Sequence, residues 1–180
     1  MSRALGFCLF DTAIGACGIA WTEAAIAAVQ LPEADPGGTR RRLLHYTGEL
    51  AELAPPPFVQ AAIARIEALL RGAHDDLCDL PLELGGVPPF HRKVYAITRA
   101  IPPGEVLTYG EVARRIGEPG AALAVGQALG RNPFAPVVPC HRVLAAQGRS
   151  GGFSAEGGAL TKLRMLEIEQ ARFDAEPGLF

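Results

Sequence analysis

The sequence predicts a mixed α/β chain of the α+β kind, strands early and helices late, and three observations carry that reading. Strand-like apolar pieces open the chain, a glycine- and proline-rich stretch, Leu84-Gly85-Gly86-Val87-Pro88-Pro89, interrupts it near the middle, and short helical patterns follow. The expected parts are residues 1–86, residues 87–170 and a tail over residues 171–180. With 180 residues, of which 49% are hydrophobic and 20% charged, the chain holds enough apolar matter for a globular core in one or two domains.

Residues 6–10 and 18–21 read as a strand pair around Asp11-Thr12-Ala13-Ile14-Gly15. A polar segment over residues 32–38 leads to a helix over residues 39–46. A second helix follows Pro55-Pro56-Pro57, with Val59, Ile63, Ile66, Leu69 and Leu70 on one apolar stripe and Gly72 closing it; these are core positions without chemistry. Residues 90–100 form the next helix, stopped by Pro102-Pro103-Gly104, and residues 105–108 are extended. Residues 109–116 then make a short helix ended by Gly117, and residues 121–129 another ended by Gly130. Two short helices about a glycine-containing turn outline a helix-turn-helix, whose second helix can enter a DNA groove. That helix is nearly stripped of bulk at Ala121, Ala122, Ala124, Gly126 and Ala128, so its backbone can press against DNA or equally against another helix.

The net charge of −2 by itself argues against a nucleic-acid partner, but the charge is unevenly placed. Residues 1–90 hold six Lys and Arg against eleven Asp and Glu, a net of −5, while residues 91–170 hold ten against six, a net of +4. A basic patch for nucleic acid and a solvated surface both fit that count. The four cysteines, Cys8, Cys17, Cys78 and Cys140, match no zinc-ligand spacing, so no metal site is expected. Asp11 interrupts the apolar opening and no small-residue cleavage pattern follows a basic start, which argues against a signal peptide. No apolar run reaches membrane-spanning length, and the expected location is the cytosol.

The most informative stretch is Pro139-Cys140-His141-Arg142-Val143, entered from Phe134-Ala135-Pro136-Val137-Val138. A thiolate is a strong nucleophile and imidazole the usual acceptor of its proton, although a cysteine among valines also suits a buried strand. Adjacent residues on a strand point to opposite faces, so the chain must bend for the pair to cooperate. Pro139 is expected to end a strand at Val137-Val138 and present Cys140 at the start of a turn. A third group from elsewhere in the fold must orient the imidazole.

Taken together, these residues resemble the O6-alkylguanine-DNA alkyltransferases, also called methylated-DNA-protein-cysteine methyltransferases. The resemblance rests on Pro103-Gly104-Glu105-Val106 with Thr108-Tyr109-Gly110, Ala121-Ala122-x-Ala124-Val125-Gly126, Arg131-Asn132-Pro133, Pro139-Cys140-His141-Arg142-Val143 and Lys162-x-x-Met165-Leu166-x-x-Glu169, in family order. It is strong over residues 87–170. Over the first 86 residues it is similar in outline, including Phe10-Asp11-Thr12 to Gly15, and implies a ribonuclease H-like amino-terminal domain before a winged helix-turn-helix-like domain.

The resemblance implies self-consuming transfer of an alkyl group from O6-alkylguanine in double-stranded DNA to Cys140, with O4-alkylthymine as a further candidate lesion. Glu169 would orient His141, and His141 would act on Cys140 through a water. Asn132 would be the hinge asparagine, and Tyr109 would help rotate the nucleotide and donate to the base. Ala121, Ala122, Leu123, Ala124 and Gly126, with Arg131 beyond them, would meet DNA, and Pro139, Val143, Phe153 and Ser154 would line the pocket for the extruded base. The lesion brings its own alkyl group, so no cofactor is implied, and the expected protein is a monomer.

One departure stands out: the family usually has arginine between the two alanines of the recognition helix, where this chain has Leu123. An apolar side chain can wedge between base steps, but lacks arginine's hydrogen bonds and charge. Smaller departures are Ala135-Pro136, where the family more often has its proline one residue earlier, and Ala155-Glu156, which lengthen the active-site loop. A lesion-binding or signalling protein with weak transfer, supported by Leu123, and a Cys-His hydrolase requiring an oxyanion site remain as alternatives.

Overall fold

The computed structural model describes residues 2–146 and 158–172. They group into two compact units, neither continuous in sequence. One takes the residues up to Ala73 with Leu77–Gly86 and Pro133–Val137; the other takes His74–Asp76, Val87–Asn132 and the described residues from Val138 onward.

The first unit is built on an antiparallel sheet of β1 (Gly6–Thr12), β2 (Gly15–Trp21) and β3 (Ile26–Gln30), in that order. The opening pair runs longer than expected, because the turn shrinks to Ala13-Ile14. Thr12 Oγ1 closes it by donating to Gly15 O at 2.7 Å and accepting from Ile14 N at 3.3 Å, and Gly15 takes a φ of 124° that favours glycine. In register, Phe7 faces Ala20 and Thr12 faces Gly15. Strand β3 gave no strand signal, since its two alanines have little β propensity; what holds it is pairing with β2 from Gly18↔Gln30 to Trp21↔Ile26.

Helix α1 (Pro36–Thr47) covers this sheet and begins three residues earlier than the sequence reading, because Asp35 caps it through Gly38 N at 2.7 Å and Pro36 suits the first turn. Phe7, Ala20, Ala28 and Leu43 form the buried cluster beneath it. Helix α2 (Pro57–Leu69) buries Val59, Ala62, Ile66 and Leu69, the expected stripe with Ala62 in place of Ile63. On the outer side of β3, Val29 donates to Pro133 O at 2.8 Å and bridges Phe134.

The expected strand at Val137-Val138 is absent. Both residues are buried, but in a turn segment that leads to Cys140. Prolines at 133, 136 and 139 remove the amide donors that a ladder would need.

The second unit packs α3 (Pro89–Arg99), α4 (Tyr109–Arg115) and α5 (Ala122–Gly130) together, with Tyr95 Oη donating to Ala128 O at 2.8 Å. A capping box starts α4: Thr108 Oγ1 accepts from Glu111 N at 3.1 Å, while Glu111 accepts from Thr108 N at 2.6 Å. Two short parallel strands, β4 (Leu107–Thr108) and β5 (Val143–Leu144), join the start of α4 to the chain just beyond Cys140. Residues Cys140–Arg142 form a single 3₁₀ turn, against which α6 (Gly158–Ile168) packs. Among the described residues no helix is long and apolar enough to cross a membrane.

Candidate active site

Cys140 opens the 3₁₀ turn, as a residue presented after Pro139 should, and three consecutive residues of that turn are buried. Asn132 lies just past α5, where its amide donates to Leu129 O at 3.1 Å, and its Nδ2 donates to Val138 O at 2.8 Å. This bond ties the end of the small-residue helix to the residue two before the cysteine. Burial pushes the Cys140 thiol above its ordinary value, while an Asn132 hydrogen bond, the Lys162 charge and the Cys140 and His141 backbone pull it down.

His141 is wholly buried and its Nε2 lies 2.7 Å from Glu169 Oε1. Glu169 also receives Arg142 Nε on Oε2 at 3.0 Å and Arg142 Nη2 on Oε1 at 2.7 Å, and Arg142 Nη1 donates to Ile101 O at 2.7 Å. Burial alone would raise the Glu169 carboxyl, but the bonds and charges of His141 and Arg142 outweigh it and hold the value at about 2. An ionised carboxylate only accepts, so His141 must donate its Nε2–H. Burial lowers His141 despite the opposing pull of Glu169, with Arg142 and Lys162 adding to the lowering, and the ring is neutral at pH 7. Nδ1 is then a lone-pair acceptor, buried and without a hydrogen-bond partner among the described residues. The arrangement leaves a base poised one residue from a thiol.

Tyr109, the first residue of α4, is partly buried, and its phenol is raised by burial and by Cys140. Gly126 on α5 lies near the Tyr109 ring, where an added Cβ would make an ordinary contact at 3.9 Å. Thr108, Tyr109, Arg114, Ala122, Leu123 and Gly126 line an open groove of about 970 Å³. Leu123 is 78% exposed, so its side chain is not packed into the core. Ala121 and Ala124 are partly buried on the same helix end, whereas Arg131 is exposed beyond the last turn of α5 and does not line the groove. Pro139 and Val143 flank the turn and are buried. Phe153 and Ser154 lie outside the described residues, as does Ala155-Glu156.

Two buried charges that belong to the quoted motifs were given no role from sequence: Arg142, which completes the Glu169 carboxylate's bonding, and Lys162, whose Nζ donates to Val143 O at 2.7 Å. The available signal for the lysine was its place seven residues before Glu169, two helical turns along one face shared with Met165 and Leu166. Among the described residues no cluster of three or more His, Cys, Asp or Glu could hold a metal ion.

Residues 89–171 match the family model described as 6-O-methylguanine DNA methyltransferase, DNA binding domain. A methylated-DNA–protein-cysteine methyltransferase of Mycobacterium bovis is 39% identical over 145 residues, spanning 79% of this chain and 86% of the relative. The fold is similar to Mycobacterium tuberculosis OGT solved in complex with DNA, with a TM-score of 0.74 and 31% identity over 94% of this chain and 97% of that one. It is also similar to an O6-methylguanine-DNA methyltransferase of Pyrococcus kodakaraensis, with a TM-score of 0.69 and 27% identity over 91% of this chain and 98% of that one.

Glu169 carries a stability consequence with a definite sign. Its folded value of about 2 lies below the ordinary 4.5, so its contribution is complete above about pH 4.5 and is lost as pH falls toward 2. Glu169→Gln is expected to lower the unfolding free energy at pH 7 by about 3 kcal/mol, because Arg142 stays buried without its counter-charge. The same variant should flatten the acid limb of stability, as measured by urea unfolding across that pH range.

Proposed function

The chain belongs to the methylated-DNA–protein-cysteine methyltransferase family, and from that premise we propose that it repairs double-stranded DNA by taking the alkyl group of O6-alkylguanine onto Cys140, once per molecule. The observation that carries this reading is the buried sequence of contacts in which ionised Glu169 fixes the Nε2–H of His141 and leaves Nδ1 as an acceptor beside the thiol-bearing residue. His141 takes the Cys140 proton through a water, Sγ attacks the alkyl carbon, the S–C bond forms, and the C–O6 bond breaks with its electron pair passing to the base. The base takes up a proton and is restored as guanine within its strand, so the thiol's proton is balanced by the one the base gains. A thioether has no good leaving group, and simple hydrolysis does not regenerate the acceptor.

O6 of guanine lies inside the duplex, so the nucleotide must be flipped out before a protein sulfur can reach it. In this reading α5 enters the minor groove through Ala121, Ala122, Ala124 and Gly126, with Arg131 at the phosphates. Tyr109 donates to the extruded base, and Pro139 and Val143 border it. Asn132 couples the helix to the thiol; its support is the bond to Val138 O at 2.8 Å. Leu123, exposed on the groove, is the apolar wedge that fills the space the nucleotide leaves. The first unit is read as ribonuclease H-like, α4 and α5 as the helices of a winged helix-turn-helix, and the protein as a monomer of the reducing cytosol. A sensor that binds lesions without transfer has Leu123 as its sole support, and the base-equipped cysteine favours transfer.

Incubation with duplex DNA carrying one O6-methylguanine, followed by peptide mass spectrometry, should give at most one methyl per protein, on the peptide containing Cys140. Cys140→Ala should abolish the label while retaining DNA binding; equal labelling of the variant would sink the acceptor assignment. Leu123→Arg adds a charge-assisted bond and should speed transfer from duplex DNA roughly tenfold with little change toward free O6-benzylguanine. Unchanged duplex rates would remove the wedge position from the account.

A further inference from the structure

Helix α6 and the residue after it bring two buried charges from one face to the Cys140 turn, and the chemistry above uses only Glu169. Lys162, two helical turns before it, is wholly buried. Its Nζ donates to Val143 O at 2.7 Å and lies 5.7 Å from the centroid of the Tyr109 ring. Among the described residues no carboxylate pairs with it. A buried ammonium costs several kcal/mol unless compensated, and one carbonyl with one aromatic face offsets only part of that. Its charge acts on two groups of the turn: it favours the Cys140 thiolate and disfavours the protonated His141 ring.

We infer that Lys162 is the electrostatic partner of the Cys140 thiolate, anchored by Val143 O and the Tyr109 ring so that its charge stands beside the sulfur. Its consequence for repair rests on the alkyl-transfer reading; the charge pairing itself does not.

The groups that face the sulfur from each packed element make this assignment specific. Tyr109 on α4 has a raised phenol and is neutral at pH 7, Asn132 after α5 is uncharged, and His141 on the turn itself is held neutral by burial. Arg142, the other cation at the turn, gives its charge to Glu169. Lys162 is therefore the cation left, among the described residues, to balance a thiolate. Burial lowers it to about 8 and Cys140 pulls it upward, while Lys162 in turn lowers Cys140, a reciprocal coupling that linkage requires. Lys162 acts through the cysteine and is a positioning residue rather than a catalytic one.

The test is the pH dependence of Cys140 alkylation by iodoacetamide, resolved by peptide mass spectrometry, in which an S–C bond forms and iodide leaves. Lys162→Met is expected to raise the midpoint by about one pH unit and slow labelling about tenfold at pH 7, with rates converging at high pH. An unchanged midpoint in a folded variant overturns the inference. Because Lys162→Met could lose its fold, the coupling is also read from the other side: NMR titration of the Lys162 ammonium should show a midpoint about one unit lower in Cys140→Ser than in the unsubstituted protein. Equal midpoints there overturn it as well. If the unsubstituted protein takes no methyl from O6-methylguanine duplex yet keeps the Lys162-dependent midpoint, the repair reading fails and the charge pairing stands.

Discussion

The Glu169 carboxylate is the constraint around which the Cys140 turn is arranged. It stands just past the end of α6, accepts from His141 and twice from Arg142, and is held ionised despite its burial. Because it can only accept, it dictates which imidazole nitrogen carries the proton and therefore which one is left to act as base. Because Arg142 also reaches Ile101 O, the same carboxylate fastens the turn to the end of the α3 region. Imidazole orientation and local stability thus share one group, and a buried ion pair of this kind specifies an arrangement more than it adds net stability.

Each neighbour of the turn fixes a different part of it. The β4–β5 pairing sets Leu107 opposite Val143 and Thr108 opposite Leu144, which brings the start of α4, and with it Tyr109, to the exit of the turn. The capping box at Thr108 and Glu111 then fixes the first turn of α4, so the tyrosine projects from a well-defined position. Asn132 makes the link on the other side, from the last turn of α5 to Val138. A Cβ at Gly126 would meet the Tyr109 ring at 3.9 Å, an ordinary van der Waals contact, so packing against the ring tolerates a small side chain there and does not by itself demand glycine.

Much of this was legible in the chain itself, and the omissions have physical causes. Cys140 and His141 stood out by their own chemistry, whereas Glu169 came forward only through the family resemblance, and the structure sets its carboxylate 2.7 Å from His141 Nε2. The roles of Arg142 and Lys162 were not legible, since charged residues sit at the surface by default and nothing local announces that a partner will bury them. Strand β3 was hidden by its alanines, and the apparent strand at Val137-Val138 was a run of apolar residues whose prolines forbid a ladder. Helix ends shifted where caps decide, as at Asp35 and Pro36. Periodicity located the core stripe of α2 well, because burial of that face needs only local spacing.

The proposed chemistry at Cys140 turns on the protonation state that Glu169 imposes on His141, and ¹⁵N NMR of the imidazole reads it directly. At pH 7 the expected result is a proton on Nε2 and none on Nδ1, with Glu169→Gln weakening that preference. A proton on Nδ1, or on both nitrogens, would contradict that expectation, because Nδ1 would then have no lone pair with which to take up the proton of Cys140.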